Sequence, residues 1–182
     1  NSFGFTTSAR GEEQPFTNAV KLVSSSGTSY VKRNEVTKNK ELIDHYKISV
    51  GTLNPDRAGV NNASDGKMQV TTKVKLLLPG EVVTETYIII SYFKNKKEAE
   101  NCAQYIRTKL ARFLISLTLS SMHIVRDNFQ FVPIQDFSKP WTDEKLYKKY
   151  KLTKEDIDFI ESMIRPMTSE IQEEEIPDES EE

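Results

Sequence analysis

The stretch KEAENCAQYIRTKLARFLISL, residues 97–117, decides the fold class. Its apolar positions are Ala99, Cys102, Ala103, Ile106, Leu110, Phe113, Leu114 and Leu117, at spacings of 3, 1, 3, 4, 3, 1 and 3. Such intervals keep returning to one side of a 3.6-residue repeat, so the segment is predicted to be a single long helix with one buried stripe. Glu98 and Glu100 lie in its first turn, where negative charge complements the macrodipole. Arg107, Lys109 and Arg112 fall off the stripe and are expected on a solvated face.

Upstream of this helix the period changes to that of strands. Thr84 to Tyr92, centred on Tyr87-Ile88-Ile89-Ile90, reads as a strand buried on both faces. Val70, Thr72, Val74, Leu76 and Leu78 alternate with polar residues, which predicts a strand up to the Pro79-Gly80 turn. Ile48 to Leu53 alternates in the same way. Ala19 to Val23 and Tyr30-Val31 form a hairpin around Ser24-Ser25-Ser26-Gly27. Residues 1–16 are an irregular leader with Phe3, Phe5 and Phe16 as anchors, and residues 34–46 are expected to hold one short helix.

Downstream, Asp143 to Tyr150 reads as a helix, followed by a terminal helix entered through Thr153-Lys154-Glu155-Asp156 and stopped by Pro166. The expected fold is therefore α+β. A mixed or antiparallel sheet packs on one long helix, and short C-terminal helices close it.

Composition narrows the function classes. Of 182 residues, 37% are hydrophobic, enough for a core, and the apolar runs are far shorter than the roughly 20 residues that span a bilayer. Cys102 is the single cysteine, so no internal disulfide and no cysteine zinc site is expected, and a reducing cytoplasm is the default compartment. The chain begins with Asn and reads as a piece of a longer protein. The net charge of −2 hides an asymmetry: residues 170–182 hold eight acids and no base, leaving 25 bases against 19 acids elsewhere. The chain thus divides into a mildly basic body, residues 1–167, and an acidic tail, residues 168–182, that is expected to be disordered. A basic body is compatible with a polyanionic partner.

Catalytic signatures are sparse. There is no glycine-rich nucleotide cradle, no Gly-x-Ser-x-Gly elbow and no Asn-Pro-Pro-Tyr motif, and His45 and His123 are too far apart to suggest a metal pair. One pattern, Pro55-Asp56 followed by Asp65-Gly66-Lys67, resembles a metal-dependent nuclease signature, in which Asp56 and Asp65 would hold the ion and Lys67 would orient water.

Two polar excursions suit another task. Residues 54–68 carry turn signals throughout, and loops of this length in compact domains are often functional. Arg57, Asn61, Asn62, Lys67 and Gln69 supply the side-chain types that pair with base edges, and Lys73 and Lys75 could face phosphates together from the next strand. His123, Arg126, Asn128 and Gln130 form a second set in residues 120–130. Together these eleven residues are the candidate DNA-binding set, with no catalytic and no metal residue among them.

Several segments resemble target recognition domains. ETYIIISYFKNKKEAENCAQYIRTKLARFLISL, residues 85–117, is similar to the strand–helix core of these modules in bacterial restriction–modification enzymes. FVPIQDFSKPWTDEKLYKKYKLTKEDIDFIESMI, residues 131–164, looks like their closing segment, and NSFGF with TNAVKLVSSSGTSYVKRNEV also matches their pattern. The resemblance covers residues 1–167 and is weakest over residues 54–70 and 118–128. It implies the C-terminal specificity domain of a type II enzyme with an N6-adenine methyltransferase, located in the bacterial cytoplasm. Its partners would be double-stranded DNA and the catalytic part of the same protein, with no membrane. S-adenosylmethionine, and Mg2+ for any cleavage, would belong to the parent enzyme, and this piece would need no cofactor. Two alternatives stand beside it: the nuclease built on Asp56, Asp65 and Lys67, and a non-catalytic domain whose long helix packs against another subunit.

Overall fold

A computed structural model describes residues 1–59 and 64–168. Asn61, Asn62 and the acidic residues 170–182 lie outside the described residues. Among the described residues the fold is mixed α+β, with two three-stranded sheets and four α-helices.

Strands β1 (Ala19–Ser24) and β2 (Gly27–Lys32) form the predicted hairpin, its turn held by the Ser24 hydroxyl donating to Gly27 O at 2.9 Å. Strand β5 (Glu81–Val83) runs parallel to β1, giving the order β2-β1-β5. Strands β3 (Tyr46–Gly51), β4 (Lys75–Leu77) and β6 (Tyr87–Phe93) make an antiparallel sheet in the order β4-β3-β6. The chain passes between the sheets at Pro79-Gly80, where Gly80 takes φ +85° and its N–H donates to Ile43 O at 2.8 Å.

The β4-β3-β6 sheet is the middle layer, as strand alternation dictates. Ile48, Val50, Leu76, Ile88 and Ile90 face a helical core built on Ala99, Ala103 and Ile106. Leu77 and Ile89 face the opposite core, with Leu22, Val82 and the leader residues Phe3 and Phe5. Both faces of β6 are covered, as its continuous apolar run predicts. Phe16 is 36% exposed and is not the third anchor expected of it.

Helix prediction needs its main correction at Thr108. The single long helix is two: α1 (Lys96–Arg107) and α2 (Lys109–Ser116), with Thr108 extended between them at ψ 152°. The break is capped on both sides. The Thr108 hydroxyl donates to Tyr105 O at 2.6 Å and accepts from Ala111 N–H, while Asp143 takes the N–H groups of Lys109 and Leu110 at 3.0 and 2.9 Å. Helix termini must satisfy these groups in some way, and Asp143 does so from helix α3 (Asp143–Lys149).

The kink also re-aims the residues assigned to a solvated face. Arg112 is 0% exposed, Arg107 donates to Val74 O at 2.8 Å, and Lys109 pairs with Glu161 of helix α4 (Lys154–Met163).

Two further expectations change. Residues 34–46 hold two short 3-10 turns, Arg33–Glu35 and Lys40–Leu42, because Asn39 between them is left-handed at φ +48°. The strand predicted over residues 70–78 shrinks to β4: Val70 takes φ +71° with its N–H held by Asp56, and the Gly51 N–H beyond the β3–β4 ladder is taken by the Thr72 hydroxyl at 2.7 Å in place of a backbone carbonyl. Among the described residues, no helix is long and apolar enough to cross a membrane.

Candidate nucleic-acid interface

The two polar excursions lie side by side. Strand β3 runs out at Gly51, and the chain beyond it pairs with the second excursion. Ile124 N–H donates to Thr52 O at 2.7 Å, Asn54 N–H to Met122 O at 2.8 Å, and Leu53 bridges His123 in antiparallel register. Arg57 then reaches across to Leu119 O at 3.3 Å. Residues separated by some seventy positions therefore share one surface, although each excursion's sequence shows only polarity and turns.

Backbone contacts also fasten the far side of the first excursion. Met68 exchanges hydrogen bonds with the segment after α4: its N–H donates to Met163 O at 2.8 Å and its carbonyl accepts from Arg165 N–H at 3.0 Å. Lys67 Nζ donates to Glu161 O at 2.9 Å. Asp56 accepts the N–H groups of Gln69 and Val70 at 2.9 and 2.7 Å.

The candidate residues divide by position. Arg57, Lys73, His123, Arg126 and Gln130 are exposed. Lys67, Gln69 and Lys75 are half-buried, with Lys75 Nζ 4.8 Å above the Tyr87 ring. Lys73 precedes β4 and so does not alternate with Lys75 along one strand. Asn128 is only 8% exposed, and its amide is consumed internally. Its Oδ1 accepts Val125 N–H at 2.8 Å and its Nδ2 donates to Thr118 O at 2.9 Å. It braces the second excursion and has no edge to offer a base. Asn61 and Asn62 lie outside the described residues.

Arg126 and His123 line an open groove of about 540 Å³, whose other walls include Ser2, Asn39, Thr52 and Glu85. Arg126 is oriented there by Nε donating to Ile89 O at 3.2 Å. Glu85 lines the same groove, and its Oε1 accepts the N–H and hydroxyl of Thr7 at 2.9 and 3.3 Å. Asn39, Thr52 and Glu85 carry no sequence signal that could have placed them here.

The nuclease pattern is dispersed by these contacts. Both oxygens of Asp56 hold backbone N–H groups, Asp65 Oδ1 accepts Lys67 N–H at 3.0 Å and faces Arg165, and the Lys67 ammonium is turned to Glu161 O. Among the described residues, no three His, Cys, Asp or Glu side chains are grouped to hold a metal ion. Cys102 is buried in the helical core. Burial pushes its thiol up to about 12 while a hydrogen bond to Ser91 pulls the other way, so it is protonated at neutral pH and a poor nucleophile.

Two other buried cations are structural. Lys47 is fully buried on β3 and donates to Ile43 O, His45 O and Leu78 O, and burial brings its ammonium down to about 8. Arg112 donates to Arg107 O at 3.1 Å, Gln69 O at 3.1 Å and Arg165 O at 2.5 Å. Burial lowers its guanidinium to about 10, which leaves it charged at neutral pH. No family model matches the chain, and neither a curated protein nor a solved structure matches it.

Proposed function

We propose that this chain is a sequence-reading module for double-stranded DNA in a bacterial restriction–modification enzyme, directing adenine methylation or cleavage by an active centre elsewhere in the same protein. The observation that carries the reading is the pairing of the two excursions through residues 52–54 and 122–124, with exposed Arg57 reaching Leu119 O and exposed His123 and Arg126 lining one groove. Arginine is suited to guanine edges and to phosphate alike, and Gln130 and Gln69 add amides that suit adenine. The surplus of bases over acids before residue 170 favours a polyanion. Lys73, exposed beside the first excursion, would neutralise phosphate and set register without reading sequence. Any S-adenosylmethionine chemistry belongs to the catalytic part, and no step of it is assigned to these residues.

The metal-dependent nuclease finds no comparable support, because its three side chains each face a different partner. An interaction role has one observation in its favour: Leu117, Phe131 and Ile134 are exposed, Ile134 by 92%, and side chains of this kind suit contact with another part of the parent protein.

The test is binding of the 182-residue chain to a pool of random-core duplexes, read by fluorescence anisotropy across a salt series and by repeated selection. Arg57→Ala and Arg126→Ala should relax sequence preference by about 1–3 kcal/mol per lost contact. Lys73→Ala should weaken all duplexes alike and reduce the salt slope by roughly 0.9. Absence of salt-dependent duplex binding at about 50 mM salt, with Ile134→Ser abolishing association with the catalytic part, would favour the interaction role instead.

A further inference from the structure

We propose that Asp56 and Arg112 are positioning residues that hold the base of the first excursion, where Arg57 and Gln69 stand, for base reading; the inference rests on the DNA-recognition reading above. The peptide at Gln69 is gripped from both sides. Asp56 Oδ1 accepts its N–H at 2.9 Å, and the fully buried Arg112 donates Nη1 to its carbonyl at 3.1 Å. The second Asp56 oxygen takes the next N–H, that of Val70, at 2.7 Å. One carboxylate thereby ties together two points thirteen and fourteen residues apart, closing the excursion at its base.

Val70 shows what this clamp enforces. It is fully buried against Ile115 and Ile164, yet it holds φ +71°, a conformation that a β-branched side chain rarely adopts. Backbone strain of this kind persists only where the surroundings over-determine it, and it gathers where geometry serves function. Here it sits directly after Gln69, at the foot of the excursion that carries Arg57 and Lys67. Arg57 follows Asp56 in the chain and reaches Leu119 O, so the clamp also fixes how the first excursion meets the second. Both Asp56 oxygens accept backbone N–H groups, so the carboxylate is engaged within the chain.

The test pairs a backbone measurement with a selection on the 182-residue chain. Asp56→Asn keeps one acceptor and turns an NH2 group toward the other backbone N–H, and Arg112→Lys keeps the charge but loses the fork. In hydrogen exchange, Asp56→Asn should speed exchange at the Gln69 and Val70 N–H groups it holds, and Arg112→Lys at Val70, whose peptide carries the Gln69 carbonyl that the guanidinium holds, by about tenfold or more, with Ile48 and Ala103 unchanged. In selection from random-core duplexes, Asp56→Asn should lower the ratio of selected to unselected affinity about tenfold or more, while affinity for the unselected pool stays within about twofold. A sharp wild-type motif that Asp56→Asn leaves unchanged, an equal loss for both pools, or unaltered exchange at Val70 overturns the clamp alone. A wild-type chain that enriches no motif overturns the recognition reading and the positioning role with it.

Discussion

Replacing Arg112 by Met tests whether the kink at Thr108, and not the apolar stripe, dictates where this helix puts its side chains. On an unbroken helix Arg112 would sit in solvent, and its removal would change stability by no more than about 0.5 kcal/mol. In the kinked structure it is 0% exposed and donates to the carbonyls of Arg107, Gln69 and Arg165. Methionine approximates its aliphatic volume but satisfies none of them. Gln69 O keeps the N–H of Thr71 at 2.9 Å, but Arg107 O and Arg165 O lose this donor at about 1–3 kcal/mol each, and removal of the buried charge returns part of that sum. Charge-for-apolar exchanges that come out neutral replace both partners together; here the acceptors are backbone and cannot be replaced. The net loss should therefore be about 2–4 kcal/mol. For a domain of this size that lowers the midpoint by about 10 °C. Urea unfolding followed by circular dichroism, with an unchanged m-value, measures it directly. A loss under about 1 kcal/mol would refute the reasoning, since it would mean the three contacts add nothing beyond what water supplies. Arg112→Lys should fall between the two, because an ammonium cannot meet three diverging acceptors as a planar fork does.

Two further predictions concern buried charge and capping. Burial holds the Lys47 ammonium at about 8 in the folded chain against 10.5 unfolded, so between these values the unfolded chain binds more protons and stability rises with pH. The difference between wild type and Lys47→Met should therefore shift by about 3 kcal/mol in favour of wild type from pH 8 to pH 10.5. Cys102 acts in the opposite direction above its ordinary 9.0 but is common to both proteins, so the comparison cancels it; a difference that stays flat with pH refutes the assignment. At the kink, Thr108→Ala should cost about 1–2 kcal/mol by thermal unfolding, and Asp143→Ala a similar amount. Because both serve the same helix start, the double variant should cost clearly less or more than the two together, and strict additivity would show that they act independently.

The layers of this fold were legible because alternation and helical period are written in side chains. The Tyr87-Ile88-Ile89-Ile90 run, apolar at every position, announces a strand covered on both faces, and that is where β6 lies, between two cores. The stripe from Ala99 to Leu117 identified helix and, as far as Leu110, its buried residues; it missed the break, and beyond it Ala111, Arg112 and Ile115 are the buried residues while Leu117 is exposed. Thr108 is an ordinary residue for a helix interior, and the partner that makes its extended conformation favourable, Asp143, lies 34 positions from Lys109. The same applies to Val70, whose sequence neighbourhood is a clean period-two pattern. Its left-handed backbone follows from the Asp56 carboxylate fourteen residues away, which no local window contains.

The candidate site was legible only as composition, for a reason shared by several polar residues in and around it. Asn128 braces Val125 N–H and Thr118 O, Asp56 binds two peptide N–H groups, Lys67 reaches Glu161 O, and Arg112 and Lys47 each serve three carbonyls. In each case the polar side chain is answered by backbone. The peptide group is the same at every position, so a pairing of this type leaves no complementary letter in the sequence. A polar residue bound for solvent or DNA and one bound for a distant carbonyl therefore look alike until the chain is folded. Exposure then separates them. Arg57, Lys73, His123, Arg126 and Gln130 remain at the surface; of these Arg57 and His123 touch the facing excursion's side of the junction, and Arg126 lines the adjoining groove with Thr52 and His123. If base reading resides at that junction, substitutions there should act on sequence preference, while those at Asn128 should act first on stability, because its amide holds the second excursion in place.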